Sequence, residues 1–326
     1  FTKNQDRHEQ ISIIFVFCLS SCAVDPIIVS EDYCEKVISD ADNNPCVMTY
    51  YDETPIQFKA PYFNPNNENE FVFIEINYDS SLYNLCIYNY LTNVKKIIAT
   101  EVSDVSQPKW YFNNKIIFDI GSSIYSINSN GTNLQQLTFD VLDIWPEWID
   151  SVNICYTNNR YGDGIYLDLP TGLADTVSNF PLTLASISSN RLLSATNGYR
   201  DAPDLIYCSL DTLDELEWHI LNVNTNNSGY DRIQCINWHP NNEDIYYSKY
   251  ALGIYKVNII NEQWEQIVDG CFGAWYNYLD ISPSGNKIIA EKVFTNYENC
   301  TYYLTSCIVL MDSDGRNEVV ILKAEN

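Results

Sequence analysis

The chain is short of histidine, of positive charge and of long apolar runs, and each shortage removes a class of function. Its 326 residues hold 3 histidines, and 18 lysines and arginines against 43 aspartates and glutamates, for a formal charge of −25. A basic face for phosphate is missing, which excludes nucleic acid as a partner. Only His219 and His239 follow the amino-terminal segment, too few for a His-based triad or a His-rich metal site. There is no GxSxG elbow, P-loop or dinucleotide GxGxxG, so serine hydrolysis, phosphoryl transfer and hydride transfer lack their usual motifs. No CxxC occurs, and the one CxxxC, Cys18 and Cys22, falls in the leader-like segment, which argues against zinc or thioredoxin-like chemistry. What is abundant is apolar and aromatic. Hydrophobic residues make up 46% and charged ones 19%, ample for a core and against disorder. The 25 tyrosines and 7 tryptophans, with Gly, Pro and Asn recurring throughout, suit many short strands joined by turns.

Residues 1–22 stand apart. Lys3 and Arg7 precede the apolar run Ile11–Leu19, which ends in Ser20-Ser21-Cys22. That run is too short for a stable bilayer span, and its order is that of a secretory signal. Leu19-Ser20-Ser21-Cys22 resembles the bacterial lipobox, which implies a signal peptide over 1–21 and lipidation of Cys22. The chain opens on Phe1, so the n-region is expected to extend upstream. Removing 1–21 leaves the charge at −25, so the acidity belongs to the folded part. Residues 22–57 read as a tether in which Val47-Met-Thr-Tyr-Tyr51 can add to a sheet edge, and 58–326 as the domain. Nine further cysteines remain. Cys34/Cys46 and Cys300/Cys307 are spaced to close small loops, the second pair across a hairpin, whereas Cys86, Cys155 and Cys208 sit in apolar runs as buried thiols.

A repeat decides the architecture. An apolar anchor, a turn and a β-rich run recur at Phe63-Asn-Pro-Asn-Asn, Trp110-Tyr-Phe-Asn-Asn, Trp148-Ile-Asp-Ser, Ile187-Ser-Ser-Asn, Trp238-His-Pro-Asn-Asn and Ile281-Ser-Pro-Ser-Gly, 38 to 51 residues apart. A unit of that length is one four-stranded propeller blade. Alternating third strands follow, as in Ser123-Ile-Tyr-Ser-Ile and Gly253-Ile-Tyr-Lys-Val, and Asn130-Gly131 and Asp314-Gly315 offer the positive φ of two-residue hairpins. The expected fold is all-β: a six-bladed β-propeller of four-stranded antiparallel blades. Trp110, Trp148 and Trp238, as repeat anchors, are expected in the packing between blades rather than in a ligand stack.

The phrase Ile124-Tyr-Ser-Ile-Asn-Ser-Asn-Gly-Thr-Asn-Leu-Gln-Gln-Leu-Thr138 resembles the repeat of TolB-type propellers; Ile281-Ser-Pro-Ser-Gly-Asn-Lys-Ile-Ile289 and Asn158-Asn-Arg-Tyr-Gly-Asp-Gly-Ile-Tyr166 match other parts of it. The resemblance spans some 265 residues and implies the fold; its members include partner-binding periplasmic proteins, cell-surface lipoproteins and lids on peptidases. No α/β domain of TolB itself is expected before the blades and no hydrolase after them. Arg160 matches a position that many such blades carry for structural reasons.

In such a ring the loops between blades and those joining second to third strands share one face around the axial opening, the mouth. Asp143, Trp145, Trp275 and Tyr276 come from the first group, with Asp140, Asp231 and Arg232; Arg160, Tyr161, Asp163, Tyr199, Arg200 and Asp201 come from the second, with Tyr250. Aromatics with Arg and Asp suit a protein- or glycan-binding mouth. His239 is expected in a solvent-facing turn and His219 as a packed or edge residue. Asp312-Ser-Asp-Gly-Arg-Asn317 starts like a calcium loop but lacks the closing glutamate, and a hairpin turn explains it. The expected function is therefore a non-catalytic, exported, lipid-anchored binding platform at the bacterial envelope, an outer-membrane or periplasmic-facing lipoprotein or one displayed on the cell surface. Its partner is a protein or saccharide, with no cofactor, no metal and no nucleic acid. The alternative is a carboxylate-based glycosidase or lyase acting on polysaccharide at the mouth.

Overall fold

Strands rich in β-branched and aromatic residues, cut by Asn-, Gly- and Pro-bearing turns, pair here with the strand that follows them. The computed structural model describes residues 49–52, 55–102, 107–139, 142–158, 163–177, 186–190, 193–197, 205–209, 218–221, 233–271, 273–298 and 301–324. A short strand β1 (Thr49–Asp52) comes first. Then follow β2 (Ile56–Asn64), β3 (Asn67–Asn77), β4 (Leu82–Asn89) and β5 (Val94–Thr100) as one sheet, and β6 (Lys109–Trp110), β7 (Lys115–Ile120), β8 (Ser123–Asn128) and β9 (Gln135–Gln136) as the next. The third sheet is β10 (Asp143–Trp148), β11 (Asn153–Asn158), β12 (Asp163–Asp168) and β13 (Leu173–Val177). The fourth is β14 (Ser186–Ile187), β15 (Leu193–Asn197), β16 (Leu205–Ser209) and β17 (Trp218–Leu221), and the fifth β18 (Ile233–Trp238), β19 (Asp244–Lys249), β20 (Gly253–Asn258) and β21 (Trp264–Asp269). The last holds β22 (Ala274–Ile281), β23 (Lys287–Glu298), β24 (Thr301–Asp312) and β25 (Val319–Lys323).

Within each sheet consecutive strands run antiparallel. Strand β1 joins the last sheet in parallel, matching Thr49–Asp52 to Thr301–Leu304 on the edge of β24 that β25 occupies further on, from Cys307 to Leu310. The expected edge-adding segment is thus present, and it carries the chain from the last sheet to the first within a few residues. First strands of neighbouring sheets touch: β2 with β6, β6 with β10, β10 with β14, β14 with β18, β18 with β22, and β22 back with β2. This is an all-β propeller of four-stranded antiparallel blades.

The core is divided accordingly. Five apolar clusters each lie between two consecutive sheets, first–second, second–third, fourth–fifth, fifth–last and last–first. Each repeat anchor is buried and stands at the end of a first strand, or one residue short of it in the case of Phe63: Phe63, Trp110, Trp148, Ile187, Trp238 and Ile281. Trp110, Trp148 and Trp238 do pack between blades. The Trp148 indole N–H donates to Lys109 O at 3.1 Å and that of Trp238 to Ser186 O at 3.0 Å, each reaching the main chain of the sheet before it. The turns after the anchors tie neighbours together: Asn66 Nδ2 donates to Phe112 O, Asn113 Nδ2 to Ser151 O, and Ser189 Oγ to Asn242 Oδ1. His239 belongs to this belt; it is half-buried, with Nε2 3.0 Å from Gly285 O, rather than simply facing solvent. His219 is exposed on β17 and stacks on Tyr207 at 4.9 Å.

The cysteines need one correction. Cys307 is a buried free thiol facing Lys292 in the β23–β24 register, so it does not bridge to Cys300. Burial pushes its pKa up to about 12. Cys86, Cys155 and Cys208 are buried free thiols as expected, and Cys271 is disulfide-bonded. Cys22, Cys34, Cys46 and the leader lie outside the described residues. Among the described residues no helix is long and apolar enough to cross a membrane.

Gly131 and Gly315 have φ of 87° and 80°, as their hairpins require. A Cβ on Gly315 would also meet Ile267 O at 2.4 Å, whereas one on Gly121, at φ 55°, meets nothing within 4 Å. Gly315→Ala is expected to cost about 2–3 kcal/mol in urea unfolding and Gly121→Ala about 1 kcal/mol. Equal losses would mean that the approach of the last hairpin to β21 carries no energy.

Candidate functional site

The axis of the ring is built by the residues just before each anchor. Strand alternation sends the anchor outward between sheets and its preceding neighbour inward. The inward set is Tyr62, Lys109, Glu147, Ser186, Asn237 and Asp280, polar or amphipathic throughout; all but Tyr62 are buried. Two residues further from each anchor stand Ala60, Gln107, Trp145, Cys235 and Tyr278. Bulges in the first strands re-aim these positions. Ala60-Pro61 faces one residue of β3 and Trp145-Pro146 one residue of β11, with φ of 53° at Ala60 and 55° at Trp145.

Gln107 closes the axis. Its Nε2 donates to Pro61 O at 2.6 Å and to Leu279 O at 3.1 Å, while its Oε1 accepts from Lys109 Nζ at 3.1 Å and lies 4.0 Å from Cys235 Sγ. Cys235 is on β18, three sheets on from Gln107, so the amide reaches across the ring. Asn237 Nδ2 donates to Leu279 O at 2.5 Å from the same side. Above this plug a half-open funnel of about 30 Å³ remains, lined by Gln107, Lys109, Trp145, Pro146, Cys235 and Tyr278 among others. That holds a water or two, not a sugar ring.

The charges sit with the plug. Lys109 Nζ pairs with Glu147 Oε2 at 3.2 Å and lies 4.7 Å from the Tyr62 ring centroid. Asp280 Oδ2 accepts from Phe63 N at 2.8 Å. Burial pushes the Asp280 carboxyl up to about 7, against the pull of Lys109 and of the Phe63 and Ile281 N–H groups. Burial likewise pushes the Cys235 thiol up to about 11, which leaves it an inert neutral group at neutral pH.

Of the residues expected at the mouth, Trp145 is half-buried and lines the funnel. Trp275 is buried, packs at a tilt against the half-buried Tyr250 with ring centroids 5.0 Å apart, and donates from Nε1 to Asn277 Oδ1 at 2.9 Å. Asp143 is buried and accepts from Asn158 Nδ2 at 2.9 Å. Tyr276 points away from the opening, into the packing between the fifth and last sheets, where its hydroxyl donates to Glu318 Oε2 at 2.5 Å. Burial first, and the Glu318 charge second, raise its pKa far above the usual phenol. Asp163 begins β12 at the end that pairs with Asn158, next to Asp143 in the register. Arg160, Tyr161, Tyr199, Arg200 and Asp201, with Asp140, Asp231 and Arg232, lie outside the described residues. The loop entering β10 adds an exposed Phe139 and Leu142, the latter at φ 78°.

Gln107, Lys109, Glu147, Asn237 and Asp280 are not among the expected site residues, yet a signal for them exists. A polar residue directly precedes a buried anchor in Lys109-Trp110, Glu147-Trp148, Ser186-Ile187, Asn237-Trp238 and Asp280-Ile281, and Pro61, Pro108 and Pro146 stand two before theirs. Scanning each repeat forward from its anchor passes over both.

The architecture defines a β-propeller with a plugged axis and a shallow mouth. A TolB-type protein of Agrobacterium tumefaciens superposes with a TM-score of 0.56 at 16% identity, covering 72% of this chain and 86% of its own. A calcium-binding protein, regucalcin, of the same organism gives a TM-score of 0.51 at 10% identity over 78% of this chain and 89% of its own. At these identities the likeness is one of fold. No family model and no curated protein matches the chain.

Lys109→Met strands the buried Glu147 without its ammonium and is expected to cost about 3–5 kcal/mol in chemical denaturation. Lys109→Met with Glu147→Leu should recover most of that loss, and a double variant no better than the single would show that the pair does not act as a unit.

Proposed function

We propose that this protein is an envelope-facing binding platform that uses the mouth of its propeller, and that the five-stranded last sheet acts as the sixth blade. The observation that carries the reading is the plug. Because Gln107 spans the axis, a partner meets a shallow surface with Trp145 and Tyr278 in its wall and Phe139 and Leu142 beside it. Flat aromatic area on a rigid scaffold suits recognition of a protein or saccharide surface. Two bulky residues at positive φ, Leu142 in the loop entering β10 and Trp145 in the β10 bulge, are the kind of strained positions that cluster at functional sites. The charge of −25 favours a neutral or basic partner. The reading places the protein outside the cytoplasm, exported by the segment 1–21 and held by lipid on Cys22, as the leader pattern suggests.

The carboxylate-enzyme alternative has less support. Glu147 and Asp280 are buried, engaged by Lys109 and by main-chain N–H groups, and absent from the funnel lining, whereas a glycosidase pair must touch its substrate.

A panel of short cationic peptides and of envelope glycans, read by titration calorimetry, tests the platform. Phe139→Ser with Leu142→Ser is expected to weaken whichever probe binds by about tenfold or more, and Leu91→Ser with Val94→Ser, on the outer rim, to leave it unchanged. Binding of the peptides should also fall as salt rises. Retained binding in the mouth variant, or release of reducing sugar from a glycan, would count against the reading.

A further inference from the structure

Among the described residues, five hairpins join a third strand to a fourth, and each carries an exposed aliphatic residue at its tip or at the start of the fourth strand. They are Leu91, Leu134, Leu173, Ile260 and Val319, between 41% and 73% exposed. Because the strands of a sheet alternate in direction, these connections share one face of the ring with the first-to-second turns, the face opposite the mouth. Phe112, 52% exposed, stands there in the β6–β7 turn. Turns favour Gly, Pro, Asn, Asp and Ser, so an aliphatic residue recurring from sheet to sheet departs from turn chemistry.

The main chain at three of these tips is bonded within its own turn. Leu91 N donates to Asn89 Oδ1 at 3.1 Å, Ile260 N to Asn258 Oδ1 at 3.0 Å and Leu173 N to Thr171 Oγ1 at 3.3 Å. Thr92 N and Asn261 N share the same two asparagine acceptors. A tip whose N–H is already engaged loses little polar solvation on leaving water.

We propose that this face rests on a zwitterionic lipid surface, with the aliphatic tips at the boundary between headgroups and acyl chains and the mouth turned away from the membrane. Shape favours lipid over a protein partner. Each of the five tips belongs to a different sheet and is flanked by polar residues of its own turn, such as Thr92, Asn133 and Asn261. They are separate points rather than the continuous patch that a protein contact buries, and a fluid surface accepts separate points one by one. Charge selects the kind of lipid. The exposed charged residues in the described connections of this face are Glu243, Glu262, Asp314 and Arg316, so an anionic leaflet is repelled rather than drawn.

The contact rests on the lipid-anchored reading for its strength. Separate aliphatic tips bind weakly alone, and attachment at Cys22 makes their insertion an intramolecular step. The tether reaches the domain on the mouth side, where Thr49 pairs with Thr301 at the start of β24. The stretch from Cys22 to Thr49 extends to about 90 Å at most. A six-residue strand is about 20 Å long. The tether is therefore long enough to pass down the outer wall and leave the opposite face on the lipid.

The test holds the whole chain, carrying Cys22→Ser and a histidine tag ahead of Phe1, on phosphatidylcholine vesicles through a nickel-chelating lipid, so that attachment does not depend on acylation. Hydrogen exchange is expected to slow by about fivefold or more at the amides of 90–93, 171–173 and 259–262 relative to the chain free in solution, and to stay level in the mouth loops 78–81 and 121–122. Leu173→Ser with Ile260→Ser should remove the slowing at those two turns, and phosphatidylglycerol in the vesicles should weaken it throughout. Unchanged exchange on vesicles, or slowing on the mouth side, would overturn the proposal. Slowing of the same turns without vesicles that grows with protein concentration would also overturn it, by assigning the face to a second copy. Acylation of Cys22 is read separately, by mass spectrometry of the exported chain, so failure of the anchor reading is distinguishable from failure of the contact.

Discussion

Every sheet of this ring has an inner edge whose inward main-chain groups have no ladder partner, and the axis must satisfy them or leave them to water. Much of the chemistry near the axis follows from that demand. The Trp148 and Trp238 indoles and the Gln107 and Asn237 amides cover carbonyls, while Asp280, Glu291 and Ser306 cover N–H groups. Polar side chains are held beside buried anchors for this reason, and their burial is tolerable because they are bonded to main chain.

The same demand shapes the mouth. Gln107 reaches both Pro61 O and Leu279 O, and in doing so it shuts the channel. A propeller whose axis were lined by short apolar groups would leave a deeper cavity; this one offers a rim and a shallow floor. The Lys109–Glu147 pair belongs to the floor's support, with Lys109 also lining the funnel. Aromatics at the rim divide similarly, Trp145 facing the funnel while Trp275 and Tyr276 are drawn into packing.

Legibility in the sequence follows periodicity. The anchors Phe63, Trp110, Trp148, Ile187, Trp238 and Ile281 repeat because each must fill the same wedge between sheets, and a repeated physical requirement leaves a repeated residue type. The glycine turns are readable because positive φ favours few residue types, as at Gly131 and Gly315. Tyr276 reads from the sequence like a mouth aromatic beside Trp275, yet the two side chains point to opposite faces of β22, and the bulge that follows resets the register. Cys307 looks spaced to pair with Cys300, but its register partner across the hairpin is Lys292, and the thiol turns into the core.

The amino-acid sequence alone determines that this is an acidic, repeat-built β protein and which anchor of each unit is core, because these depend on local alternation and turn chemistry. Only the tertiary structure decides that Gln107 meets Cys235 across the ring, that Asp280 closes on Phe63, and that one lysine stands among two buried carboxylates. The first two contacts join residues more than a hundred positions apart and the Lys109–Glu147 pair joins two different sheets, and their nearness is set by the arrangement of the sheets in a circle, a geometric condition that no local window of the chain contains.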